Sequence, residues 1–189
     1  MSDDDRERWN QRYRDGAYEQ RVHPSALIAE WIEGLPRGRA LDVASGAGRN
    51  ARYLNDRGYS VTALDISFVA LSRLADTPQI QVIAHDLDSG LPAFDGSFDL
   101  ILMMRFLNLA LVPALIDALN PGGVLVCESL LQGGLAEVGP TSPRFRAAPG
   151  ALRTAASGLV VLHDTEGEVI DPDGRSVHLA RLIARKPMS

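Results

Sequence analysis

The sequence predicts an α/β fold, a mostly parallel sheet with helices on both faces, closed by an antiparallel hairpin. Three observations predict it. Five short apolar runs alternate with segments of helix length, a pattern that requires right-handed crossovers. Two β-rich runs near the carboxyl end are joined by a loop with no room for a crossover helix. The 189 residues, 46% of them hydrophobic, form one domain with one continuous core of ordinary size.

Residues 4–33 read as two helical pieces flanking a Gly16–Pro24 loop. The first is polar, with Trp9 and Tyr13 four apart on one face, and the second runs from a Pro24-Ser25 start signal to Glu33. The strands are then expected at 39–43, 60–64, 80–84, 98–103 and 124–127. Punctuation marks the helices between them: 48–57 stops at Gly58, 67–75 opens on a Ser67 cap, and 112–119 ends before Asn120-Pro121-Gly122-Gly123. The hairpin pairs 158–163 with 176–184, which sets His163 and His178 across from each other. Asp164, Glu166, Glu168, Asp171 and Asp173 form its solvated, charged tip rather than a metal site. The preceding segment, Leu130 to Thr154, is rich in glycine and proline and carries Arg144, Arg146 and Arg153. It reads as a loop long enough to cover a substrate.

Composition narrows the function classes. With 19 Lys and Arg against 24 Asp and Glu, the net charge of −5 lacks the positive field of a dedicated nucleic-acid binder, so no nucleic-acid partner is expected. Cys127 is the single cysteine and cannot close an intramolecular disulfide, and the 4 histidines have no zinc-ligand spacing. Asp3-Asp4-Asp5 stands where a leader would be basic and then apolar, and no run approaches the roughly 18 apolar residues of a membrane span. The expectation is a reduced, metal-independent cytosolic protein with a small-molecule substrate and no membrane partner.

The first strand runs into Asp42-Val43-Ala44-Ser45-Gly46-Ala47-Gly48-Arg49-Asn50, an acid followed by a small-residue turn that feeds a helix. Such a turn lets a ligand approach backbone at the carboxyl edge of the sheet. Gly46 to Ala51 also satisfies a dinucleotide pattern, with Asp65 17 residues beyond Gly48, so the turn by itself leaves two ligand classes open. Asp42 tips the choice. A carboxylate there repels a pyrophosphate and suits a ligand bearing an ammonium group, such as S-adenosylmethionine. Asp65 can accept from both hydroxyls of an adenosine ribose, or cap the helix near Ser67. The third strand ends in Ala84-His85-Asp86-Leu87, where Asp86 can accept from an adenine amine.

With these residues assembled, the chain resembles the class I S-adenosylmethionine-dependent methyltransferases, most clearly from Ala40 to Leu131. Asp42, Asp65 and Asp86 fill the places of that family's three acids. Asp95-Gly96-Ser97-Phe98-Asp99 and Asn120-Pro121-Gly122-Gly123 continue the match. The resemblance implies a three-layer Rossmann-like doubly wound sheet of seven strands in the order 3-2-1-4-5-7-6, strand 7 antiparallel. It implies three regions: residues 1–35 as a helical cover, 36–131 as the cofactor-binding core, and 132–189 as a substrate-side loop and hairpin. Trp9…Tyr13, Pro24-Ser25 and Gly48-Arg49-Asn50 look like the small methyltransferases related to tellurite-resistance and thiopurine enzymes. That likeness implies that Trp9 and Tyr13 fold over the cofactor. The contacts it implies for S-adenosylmethionine are Asp42, Ala44, Ser45, Gly46, Gly48, Asn50, Asp65, Ile66, His85, Asp86, Leu87, Met103 and Arg105. Ala44 departs from the family pattern, which commonly has glycine there.

Methyl transfer from a sulfonium is an in-line displacement, catalysed mainly by alignment and desolvation. A soft sulfur, selenium or tellurium anion needs no general base. The segment after strand four reads Met103-Met104-Arg105-Phe106-Leu107-Asn108 and lacks the Asn-Pro-Pro-Tyr tetrad of amino-methylating enzymes. Arg105, Arg144 and Arg146 are therefore expected to form a cationic rim for an anionic acceptor. The rival readings are an NAD-dependent oxidoreductase and a non-catalytic cofactor-binding module.

Overall fold

A computed structural model describes residues 3–16, 18–133, 139–140 and 142–188. Its sheet has seven strands in the order β3-β2-β1-β4-β5-β7-β6. The strands are β1 (Arg39–Val43), β2 (Ser60–Asp65), β3 (Ile80–Ala84), β4 (Phe98–Met104), β5 (Leu119–Leu130), β6 (Val160–Ile170) and β7 (Ser176–Arg185). The first five pair in parallel, and β7 pairs antiparallel with both β5 and β6. Among the described residues six α-helices accompany them: α1 (Asp3–Arg14), α2 (Ala26–Trp31), α3 (Arg49–Asn55), α4 (Phe68–Leu71), α5 (Val112–Asp117) and α6 (Ala151–Ala155).

The central strands read as unbroken apolar runs because both faces of the sheet are covered. Ala40, Val61, Ala63, Leu100, Leu102, Val124 and Val126 point to one face, where they pack with Leu27 and Ile28 of α2 and Leu54 of α3. Their neighbours Leu41, Val43, Leu64, Ile101, Met103, Leu125 and Cys127 point to the other, against Leu115 of α5 and Leu152 of α6. Burial pushes the Cys127 thiol up to about 12, so it stays a packed, neutral group. Among the described residues no helix is long and apolar enough to cross a membrane.

Several expectations are corrected. The expected turn Asn120-Pro121-Gly122-Gly123 is absorbed into β5, with a register shift between Phe98 and Leu100 on the facing strand. The hairpin is longer than its apolar cores: Asp164, Glu166 and Glu168 lie within β6, and only residues 171–175 turn. His163 faces Ile183 and His178 faces Glu168, so the two histidines are not opposite each other. The Leu130–Thr154 segment contains a 3-10 turn at Pro143–Phe145 and helix α6, while its residues 134–138 and 141 lie outside the described residues. Ser67 caps α4 by accepting from the Ala70 N–H, as expected. The Ser25 hydroxyl makes no cap; it donates to Glu128 Oε2 at 2.9 Å.

Candidate functional site

The glycine turn connects β1 to α3 at the carboxyl edge of the sheet. Three successive-but-one residues there adopt left-handed backbone, Ala44 at φ 54°, Gly46 at 56° and Gly48 at 80°. A Cβ at Gly46 would meet the Tyr13 hydroxyl at 2.4 Å, and one at Gly48 would meet Leu74 at the same distance. Side chains are thus excluded at both glycines by crowding as well as by φ. Ala44 bears a methyl group in a conformation that glycine adopts without strain, which is why glycine suits that place.

Asp42 lies at the end of β1 beneath the turn and is almost fully buried. Its Oδ2 is buried without a hydrogen-bond partner, and so is the Ser45 hydroxyl. Burial pushes the Asp42 carboxyl up to about 7; Asp65 raises it further, while the Arg49 guanidinium and the Ala51 N–H oppose the rise. Asp65 ends β2, where Gly46 N–H donates to its Oδ2 at 2.8 Å and Ser67 N–H to its Oδ1 at 2.8 Å. Its carboxyl is also raised by burial, with these backbone donors pulling the other way. Asp86 follows β3 and accepts from the Asp88 N–H at 2.9 Å, capping the short turn Leu87–Ser89. Because β1, β2 and β3 are parallel neighbours, the three acids follow one edge of the sheet.

The remaining residues named from sequence divide into rim and interior. Trp9, Tyr13 and Tyr18 form an aromatic trio with centroids 5.9–6.4 Å apart over this edge. Helix α1 is docked by buried Asn10, whose Oδ1 accepts from the Ser67 hydroxyl at 2.9 Å. Burial and the negative charge of Asp65 raise the Tyr13 phenol well above its ordinary range. His85 Nε2 lies 3.0 Å from the Gly90 carbonyl. Asn50 is buried and accepts from the Ser25 N–H at 3.0 Å. Ile66 and Leu87 are buried beside the rim, whereas Met103 is wholly interior.

The three arginines expected to form one rim are dispersed. Arg105, at φ 58°, directly follows β4; its Nε donates to Glu128 Oε1 at 2.7 Å, and its Nη2 donates to Asp171. Arg146 is buried, donating to the Pro140 carbonyl at 2.9 Å and to the Leu131 carbonyl at 3.2 Å. Only Arg144 is exposed, 3.7 Å from Asp88 on a cavity of about 350 Å³ lined also by Phe106, Leu109 and Phe145. Asp171 is not a solvated tip acid but a buried partner of Arg105. Glu128 is fully buried and joins Ser25, Arg105 and Arg181. Sequence reasoning passed over Glu128, Asn10, Arg21 and Arg49. A lone acid ending an apolar central strand was the available signal for Glu128.

Residues 40–123 match the family model described as a methyltransferase domain, and this match together with the sheet order supports the class I S-adenosylmethionine-dependent methyltransferases as the class of this chain. The same likeness supports S-adenosylmethionine as the cofactor. The chain is 32% identical over 138 residues to malonyl-[acyl-carrier protein] O-methyltransferase of Pseudescherichia vulneris, covering 68% of this chain and 53% of that protein. It is 36% identical over 106 residues to demethylmenaquinone methyltransferase of Renibacterium salmoninarum, covering 53% and 44%. The chain thus spans about half the length of the curated relatives it matches. Among solved structures, TehB from Haemophilus influenzae superposes with a TM-score of 0.72 at 20% identity, covering 94% of this chain and 67% of that chain. The dinucleotide-linked oxidoreductase and the non-catalytic module are not favoured by these likenesses.

Proposed function

We propose that the protein transfers the methyl group of S-adenosylmethionine to a small anionic acceptor, with soft chalcogen anions among the candidates. The observation that carries this reading is the unpartnered, buried Asp42 Oδ2 beneath the glycine turn. A buried carboxylate oxygen without a donor is costly, and the ammonium of the methionine end is a donor of the right charge. Bound S-adenosylmethionine supplies an electrophilic methyl on a sulfonium. The chain's own residues do the rest: Asp42 holds the ammonium, and Ser45 offers its free hydroxyl beside it. Asp65 keeps lone pairs for ribose hydroxyls while Gly46 and Ser67 fix its orientation. Asp86, Ile66 and Leu87 border the adenine, His85 orients the loop after β3, and the aromatic trio excludes water.

The reaction as proposed needs alignment more than acid–base chemistry, because positive charge disappears from sulfur as the acceptor attacks. Residues 1–35 serve as cover, 36–131 as the cofactor core and 132–189 as the acceptor side. Incubation with methyl-labelled S-adenosylmethionine and selenite, thiols or small carboxylates is expected to yield a labelled product with at least one anion. Failure to bind S-adenosylhomocysteine, together with no labelled product from any of them, would sink the reading.

A further inference from the structure

The cavity of about 350 Å³ beside Arg144 has the size of a small-molecule site. One wall is Phe106, Leu107 and Leu109, in the segment after β4, and all three pack on the core beneath them. The opposite wall is Phe145, on the 3-10 turn Pro143–Phe145, which keeps 43% of its surface exposed. An exposed phenyl ring that faces three apolar side chains across open space makes a contiguous apolar surface, and such surfaces mark ligand grooves. The turn carrying Phe145 is tied to the end of β5. Buried Arg146 donates to the Pro140 and Leu131 carbonyls, Gln132 Nε2 donates to the Arg146 carbonyl at 3.1 Å, and Leu131 bridges to Ala147. The mouth is polar. Arg144 and Asp88 stand 3.7 Å apart there, too far for a hydrogen bond, and the guanidinium lies 5.6 Å over the Phe145 ring. An exposed, loose pair of this kind contributes little, so a ligand carboxylate that meets the guanidinium fork replaces it at small cost. Asp88 keeps the Asn108 amide, 3.5 Å away, when the guanidinium turns to a ligand.

We propose that this cavity receives the flat apolar body of the methyl acceptor while Arg144 grips its carboxylate at the mouth, so that the acceptor is an aromatic or similarly apolar acid rather than a bare oxyanion. This rests on the methyltransferase reading above and narrows it. A cavity of about 150 Å³ already holds a benzene ring, so this one takes a ring together with its substituents. Among the described residues, none of those assigned to the cofactor lines it. Even so, Phe106 directly follows Arg105, and Asp88 lies two residues past Asp86. The cavity therefore adjoins the cofactor rim without being part of it, which is where a body attached to the attacking atom has to lie.

The test compares three thiols as acceptors for the wild type, Phe145→Ala and Arg144→Met: para-mercaptobenzoate, thioglycolate, which lacks the ring, and para-toluenethiol, which lacks the carboxylate. Each thiolate sulfur forms a bond to the methyl carbon as the sulfonium C–S bond breaks, and that electron pair stays on S-adenosylhomocysteine, so no proton moves. With each rate divided by its uncatalysed counterpart, the wild type is expected to favour para-mercaptobenzoate over both others in kcat/KM. Phe145→Ala is expected to cut the preference over thioglycolate ~10-fold, and Arg144→Met the preference over para-toluenethiol ~10-fold. Both side chains are exposed, so each variant is expected to melt within about 2 °C of the wild type and to bind S-adenosylhomocysteine within about twofold. Unchanged preferences overturn the proposal. So does a ~10-fold loss of S-adenosylhomocysteine affinity in either variant, which would make the cavity part of the cofactor pocket. Calorimetric titration of para-(methylthio)benzoate into the full-length protein saturated with S-adenosylhomocysteine covers a wild type that methylates none of the thiols. Binding that both substitutions weaken ~10-fold supports the site. No binding, or displacement of S-adenosylhomocysteine, overturns it, whereas failure of S-adenosylhomocysteine itself to bind overturns the methyltransferase reading.

Discussion

Asp42 shows how one buried group sets the chemistry of the rim. Its carboxyl titrates at about 7 in the fold against an ordinary 3.8, because burial penalises the charged form. A group raised in this way stabilises the fold while protonated. Its contribution is complete below roughly pH 4 and is lost as pH rises through about 7. The ligand-free protein is therefore expected to melt lower at pH 8 than Asp42→Asn does, by several degrees, and the gap should narrow as pH falls and close at about pH 4. Cofactor affinity runs the other way, since an ammonium needs the carboxylate. S-adenosylhomocysteine binding should strengthen between about pH 6 and 8 in the wild type and lose that dependence in Asp42→Asn. Calorimetry across this range checks both, and parallel pH profiles for the two proteins would refute the assignment. The three acids and the glycine turn were legible in the sequence because each follows a strand and the strands were readable. The spare oxygen of Asp42 was not, because it depends on where α3 packs.

At the level of elements, the hairpin and the amino-terminal segment are tied to the core through Glu128. Its carboxylate takes Arg105 at 2.7 Å, Arg181 at 3.1 Å and the Ser25 hydroxyl at 2.9 Å, so β4, β5, β7 and the segment before α2 meet at one buried charge. Removing one member of such a cluster leaves its partners desolvated and unpaired. Glu128→Ala is expected to cost about 3–5 kcal/mol in urea unfolding, and Glu128→Gln, which keeps hydrogen-bonding capacity, less. A loss under ~1 kcal/mol in the alanine variant would show that the cluster holds nothing together. The β1 boundaries coincide with its apolar run, because a strand covered on both faces is buried nearly throughout, and β3 keeps the expected bounds although it is an edge strand with Gln81 and Ala84 exposed. In contrast, β6 was read as a charged loop beyond residue 163. Half of an edge strand faces water, and its acids alternate there, so pairing with β7 sets its length more than hydrophobicity does.

For the whole molecule, the cofactor, cover and acceptor regions share one sheet, so ligand binding is coupled to global stability. S-adenosylhomocysteine at about 100 times its dissociation constant should add roughly 2.7 kcal/mol, which raises the melting temperature by roughly 5–10 °C for a chain of this size. A shift under about 1 °C at saturation would mean that the rim does not bind it. By itself the sequence determined the α/β class, the five parallel strands and the turn carrying Asp42, because apolar periodicity and small-residue turns are local properties of the chain. Only the tertiary structure decided which charges are spent and which remain. Arg105 and Asp171 are 66 residues apart yet neutralise each other, whereas Arg144 stays exposed at the mouth of a cavity. Ion pairing depends on distances between strands and turns far apart in sequence, and no local pattern encodes those distances.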